Sequence, residues 1–151
     1  RARLLVLLPA RAGDVAAHDA LDRVHLEPLA ADRAPGHLGR NVLVPDLAGW
    51  RRERLPVLPR EAFFTLAPDW ACEVLSPATA RIDRLKKLAI YAREGVAHAW
   101  LVDPALETLE VFRRQGEAWL LVLTAGGDDV VRAEPFDAIE LSLTGLWIRP
   151  A

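Results

Sequence analysis

Three acids sit where acids are expensive. Asp46 is set into the apolar string VLVPDLAGW, Glu73 lies in the middle of WACEVLS, and Asp69 follows Pro68 at the mouth of that second string. A carboxylate inside a strand that is apolar on both faces must be held by a cation or by hydrogen bonds. Strand residues alternate sides, so Ala71, Glu73 and Leu75 share one face while Trp70, Cys72 and Val74 share the other. Two readings of Glu73 stay open: an ion pair with one of the seventeen arginines, or a metal ligand. Asp46 is open in the same way, because a Pro-Asp pair also makes turns. Asp69 reads as an entry turn. A further polar set, Asp83, Lys87 and Tyr91, recurs at i, i+4 and i+8. On a solvated helix face such a pair is worth a few tenths of a kcal/mol. If the helix follows directly on the strand of Glu73, the same stripe can lie over the carboxylates. Only two lysines exist, Lys86 and Lys87, so any chemistry that needs an ammonium falls on one of them.

The elements that must position these residues are readable from residue 37 onward. Residues 41–50 form an apolar, partly β-branched run, a strand broken at Pro45-Asp46. Residues 51–60 are a charged, proline-punctuated loop. Residues 70–76 read as a second strand, apolar on both faces and therefore central. Ser76-Pro77-Ala78-Thr79 supplies helix-start chemistry, and a helix is predicted to run to about Glu94, where Gly95 stops it. Ile82, Leu85, Ala89 and Ala92 fall at helical spacing and are expected to face the core. Strands follow at residues 97–102, 108–113, 118–124 and 130–133, with hairpin turns at Gln115-Gly116 and Gly126-Gly127. LSLTGLW closes the chain as a short cap over the sheet. This is a mixed α/β or α+β domain with one principal helix.

Composition sets bounds. The 151 residues suit one domain, with 52% apolar and 26% charged residues. Cys72 is the only cysteine, which excludes an intramolecular disulfide and a Cys-rich zinc site and makes a reducing cytoplasm the expected compartment. It faces away from Glu73 and reads as a packed thiol. Net charge is −2, but residues 37–95 carry ten Lys/Arg against seven Asp/Glu, so an anionic partner would dock there. The apolar run Leu4 to Leu8 is too short for a bilayer span of ~20 residues, and no membrane association is expected. His18, His25, His37 and His98 are scattered without metal-ligand spacing, and they read as surface residues. The five tryptophans read as core or rim residues rather than base-stacking platforms. There is no methionine, so the chain reads as a fragment or a processed product. Residues 1–36 rotate through Ala, Arg, Asp, Leu, Pro and His, with a short helix possible over residues 15–24.

VLVPDLAGW, a spacer, and APDWACEVLSPATARIDRLKKLAIYAREGVAHAWLVDP together resemble the large bacterial family of restriction endonucleases of the Uma type, within the PD-(D/E)XK nuclease superfamily. The matching features are Pro45-Asp46, Pro68-Asp69 opening Glu73 to Pro77, the Asp83–Lys87–Tyr91 helix, and Gly95, Val96, Trp100, Val102, Asp103 and Pro104. DDVVRAEPFDAIELSLTGLW resembles the family's closing strands and helix. The resemblance covers about residues 37–148, several motifs in order. It divides the chain into a poorly matching segment, residues 1–36, and a nuclease core, residues 37–151. The first segment lacks the family's opening helix and hairpin. It reads either as wrong-frame coding text from GC-rich DNA or as a divergent leader.

The resemblance implies a restriction-endonuclease-like mixed sheet with one principal helix after the EVLSP strand, and a Mg²⁺-dependent endonuclease acting on DNA, with Mn²⁺ as a substitute. Asp46, Glu73 and the backbone carbonyl of Val74 would hold the metal, a hard oxygen set suited to Mg²⁺. The superfamily's usual lysine lies two residues after the glutamate, where this chain has Leu75. By resemblance Lys87 takes that role, with Lys86 pointing roughly 100° away around the helix. A homodimer is implied as well. The alternative is a catalytically inactive relic that serves as a binding or interaction domain.

Overall fold

The computed structural model describes residues 4–8, 26–28, 36–38, 41–57 and 65–147. The strands are β1 (Leu4–Leu8), β2 (Leu26–Pro28), β3 (Gly36–Leu38), β4 (Asn41–Leu43), β5 (Leu47–Arg51), β6 (Trp70–Val74), β7 (His98–Asp103), β8 (Thr108–Gln115), β9 (Ala118–Gly126), β10 (Val130–Val131) and β11 (Leu141–Ser142). Seven of them form one sheet in the order β2-β1-β5-β6-β7-β8-β9. β3 pairs with β4, and β10 with β11, as separate two-stranded ribbons. Helix α1 joins β6 to β7. It is α-helical over Ala80–Ile82, π-helical over Asp83–Lys87 and α-helical again over Leu88–Arg93. The readings of residues 15–24, His18 and His25 lie outside the described residues, as does the side chain of His37. No described helix is long and apolar enough to cross a membrane.

β6 is the central strand, as its two-sided apolar sequence predicts. It runs antiparallel to β5 and parallel to β7, so the chain needs the α1 crossover to return. The two faces of β6 feed two cores. Trp70 and Cys72 join Trp100, Val102, Leu109, Val111, Leu143, Leu146 and Trp147 in the larger one. Ala71 and Leu75 join Leu88, Tyr91, Val96, Ala99 and Leu101 under α1. Antiparallel hairpins then add β8 and β9. Their turn places Gly116 at φ +64°, a conformation that favours glycine.

The closing segment 141–147 caps the larger core. There Trp70, Trp100 and Phe136 meet edge to face, with ring centroids 5.0–5.4 Å apart. Four tryptophans donate their indole N–H to backbone carbonyls: Trp50 to Leu66, Trp100 to Glu134, Trp119 to Leu88 and Trp147 to Gly127. They tie loops and helix to the sheet, which fits the expected core and rim roles. Cys72 is buried, and burial pushes its thiol well up, as a packed and unreactive thiol requires.

α1 starts and stops where expected. The Ser76 hydroxyl accepts from the Thr79 N–H, and at the far end Gly95 at φ +88° lets Val96 N–H reach Tyr91 O. Its orientation overturns the apolar-face reading. Of the four residues expected to face the core, Ala92 does so, whereas Ile82 (48% exposed), Leu85 (63%) and Ala89 face outward. The buried side carries Asp83, Leu88, Tyr91 and Ala92. The physical reason is Glu73 on the strand below. Ile82 stays about half covered, so exposing the two aliphatic side chains forfeits only part of the about 1.5–3 kcal/mol that full burial of each is worth, against about 3–5 kcal/mol for a buried charge that loses its partner. The consequence is measurable by urea denaturation. Leu88→Ala should cost about 2–5 kcal/mol, while Leu85→Ala should stay within about 0.5 kcal/mol of the parent. Equal losses would mean that the helix packs through its other side.

Candidate active site

Glu73 is 1% exposed and stands on the α1 side of β6. Tyr91 Oη donates to Glu73 Oε1 at 2.5 Å, and Lys87 Nζ donates to Oε2 at 2.7 Å. The same ammonium lies 3.0 Å from Asp83 Oδ1 and donates to the backbone carbonyl of Val44 at 3.3 Å. Val44 precedes the Pro45-Asp46 bend between β4 and β5. At that bend Asp46 Oδ2 accepts the Val74 N–H at 2.8 Å. The carboxylate of the first strand region is thereby fixed to the residue that follows Glu73. Lys86, one position earlier on the helix, is exposed.

Local structure explains the convergence. Two strands bring Asp46 and Glu73 to one region because β5 and β6 are direct neighbours. α1 delivers the rest because it leaves β6 within a few residues and lies back over it. Asp83, Lys87 and Tyr91 then present one stripe to the carboxylate. The π-helical turn spans Asp83 to Lys87 itself. Such turns recur at functional sites because they shift the helix phase by one residue locally.

The electrostatics follow from burial. Glu73 is pushed up to about 7, mainly because burial disfavours its charge; Lys87 and Tyr91 pull it down, and the nearby Asp46 charge pushes it further up. Burial also works against the charged Lys87, but Glu73 and Asp83 outweigh it and hold the ammonium above its ordinary range. Tyr91 is pushed well up by burial and by Glu73, so it stays a hydrogen-bond donor. Asp83, 2% exposed, shares with Glu73 the one ammonium of Lys87.

The residues expected to do the chemistry thus lie together: Asp46, Glu73 and Lys87, with Val74 contributing its amide to Asp46. Asp83 and Tyr91 belong to the same constellation, although the expected site did not include them. Their signal was the i, i+4, i+8 spacing. Asp69 behaves as the entry turn it was read to be, bound to Arg54 at 2.8 Å and accepting the Arg51 N–H at 2.8 Å. His98 departs from the surface reading. It is half-buried with Nε2 3.4 Å from Glu134, at the other end of β6 from Glu73. Among the described residues no three His, Cys, Asp or Glu side chains converge on a single metal position. Asp46 and Glu73 are hard oxygen donors of the kind Mg²⁺ takes.

Comparison with known proteins bears on the family and the fold. No curated protein matches the chain. A crystal structure described as a "putative nuclease belonging to DUF820" from Anabaena variabilis superposes with a TM-score of 0.63 at 23% identity, over 89% of this chain and 75% of that one. That likeness shows the restriction-endonuclease-like fold. The Uma2 family model, described as "putative restriction endonuclease", matches residues 13–144, and so reaches into the N-terminal segment where no family motif is legible. With residues 13–144 matched by its model, the chain belongs to the Uma2 family.

Proposed function

We propose that this chain is a Mg²⁺-dependent endonuclease that hydrolyses phosphodiester bonds of DNA. The observation that carries the reading is the buried meeting of Glu73 with Lys87 next to the Asp46–Val74 contact. The donor set fits a divalent cation. Glu73 and Asp83 are both buried and share one ammonium, and what Glu73 gains from its partners does not offset its burial. A second positive charge beside Glu73 and Asp46, ligated by hard oxygens including the Val74 carbonyl, would balance the arrangement. Mn²⁺ fits the same ligands.

A bound Mg²⁺ supplies an activated water and offsets charge that develops on the phosphate. The chain's own residues do the remainder. Tyr91 and the Val74 amide fix the directions of the Glu73 and Asp46 carboxylates. Lys87, kept protonated by its two acids, acts as a donor and positive charge toward the water or the phosphate rather than as the base that takes the water's proton. The single, buried cysteine suits a cytoplasmic location. The homodimer implied by the family resemblance would find a suitable surface in β9, a nine-residue edge strand without a charged residue, on which Leu120 and Leu121 are exposed.

Two measurements test this reading. In plasmid cleavage with Mg²⁺, Glu73→Ala and Lys87→Ala should each lower the rate by about 100-fold or more, while Lys86→Ala should cut like the parent and EDTA should stop the reaction. Cleavage indifferent to Glu73→Ala would refute the site. A folded parent chain that binds Mg²⁺ yet never cuts would instead make this domain the inactive relic. The second measurement is stability against pH without metal. The ordinary value for Glu73 is 4.5 and its folded value is about 7. Between the two, the folded chain keeps a proton that the unfolded chain has released. The contribution is therefore full below the lower value and is lost as pH rises through the upper one. Relative to Glu73→Gln, the parent should lose on the order of 3 kcal/mol from about pH 5 to about pH 8. The Lys87 shift acts above 10.5 and stays out of this window. Added Mg²⁺ at the upper pH should recover stability in the parent but not in Glu73→Gln. Parallel pH curves for the two proteins would contradict the raised carboxyl.

A further inference from the structure

The Lys87 ammonium meets three acceptor oxygens: it donates to Glu73 Oε2 at 2.7 Å and to the Val44 carbonyl at 3.3 Å, and it forms an ion pair with Asp83 Oδ1 at 3.0 Å, a buried oxygen that takes no hydrogen bond of its own. These acceptors are not equivalent. Glu73 is the carboxylate that a cation would use, and a dication on it both weakens its pull on the ammonium and repels the ammonium directly. Asp83 lies on the helix, one turn before Lys87, and moves with it. It is nearly fully buried, and a buried acid in a helix interior brings nothing to the helix itself that an apolar residue would not. The π-helical turn begins at this residue and ends at Lys87, and the neighbouring Ile82 and Leu85 are left outside.

We propose that Asp83 is a positioning residue: it keeps the Lys87 ammonium over the site when the Glu73 carboxylate is engaged by a divalent cation. This rests on the metal-dependent reading above. Without a cation, Glu73 and Asp83 hold the ammonium together. With one, Asp83 and the Val44 carbonyl hold it, and Lys87 stays available to water or phosphate rather than swinging out to solvent.

Having only two lysines makes the inference directly observable. Full-length protein labelled with ¹⁵N gives two side-chain ammonium signals, one from exposed Lys86, which exchanges quickly, and one from Lys87, which is held. In the parent, adding Mg²⁺ should shift the Lys87 signal and leave it in slow exchange. In Asp83→Asn the signal should be present without metal, which also reports that the helix is formed, and should be lost when Mg²⁺ is added. Asp83→Glu should restore it. In cleavage assays Asp83→Asn should lower kcat about 10-fold or more with KM and Mg²⁺ affinity within about twofold of the parent. The proposal is overturned if the parent loses the Lys87 signal on Mg²⁺ binding, if Asp83→Asn keeps it, or if Mg²⁺ leaves the parent spectrum unchanged. A parent that shows the expected spectra but cuts no DNA refutes the nuclease reading and leaves the role of Asp83 standing.

Discussion

A carboxylate held inside the central strand of a sheet is the constraint to which the rest of this molecule answers. Taking Glu73 out of water costs several kcal/mol unless partners replace the lost hydration. Tyr91 and Lys87 replace it from one helix, and Asp46 is drawn to the same place by the Val74 amide. The helix pays for this with its own amphipathicity. It turns a polar stripe inward, keeps Leu88 and Ala92 for packing, and leaves Ile82 and Leu85 in solvent. A helix stabilised only by burial of apolar surface would sit the other way round.

The two faces of β6 divide the work. On one side Trp70 and Cys72 enter an apolar core closed by Leu143, Leu146 and Trp147, with three aromatic rings in edge-to-face contact. On the other side the helix covers the strand with side chains that hydrogen-bond as well as pack. Asp69 anchors the opposite end of the strand: its carboxylate binds Arg54 and the Arg51 amide, tying the exit of β5 to the entry of β6. The register that places Asp46 near Val74 is thus held from the far end as well.

Much of this was legible in the residues themselves. The two-sided apolar run around Glu73 announced a central strand, and a glycine at residue 95 marked the helix end. Gly116 marked the hairpin, and the 76–79 turn marked the helix start. Those signals are local, and local chemistry decides them. The helix face was not legible, because hydrophobic spacing carries no information about what lies opposite. Ile82, Leu85, Ala89 and Ala92 make a regular apolar set, and only the demand of Glu73 on the neighbouring strand outweighs it. Asp83 escaped the expected site for the same reason. At i, i+4 from a lysine, an acid is indistinguishable in sequence from one half of a surface ion pair worth a few tenths of a kcal/mol. Burial is what changes its meaning.

The position of the lysine has a mechanical consequence. The usual lysine of the PD-(D/E)XK superfamily lies two residues after the glutamate, on the same strand, where its placement is as rigid as the sheet. Here that position is Leu75, which packs under α1 with Leu88 and Tyr91. The ammonium arrives instead from the helix, so its position depends on how α1 sits on the sheet. Leu75 helps set that: it fills the space that a strand lysine would need and gives the helix an apolar seat. The substitution and the displacement are therefore two aspects of one arrangement. With Leu75 at that position the strand has a packing residue, and that residue helps to seat the helix that carries Lys87. Helix packing and the geometry around Glu73 become one property, and a change that loosens α1 from the sheet also moves Lys87 away from the carboxylate.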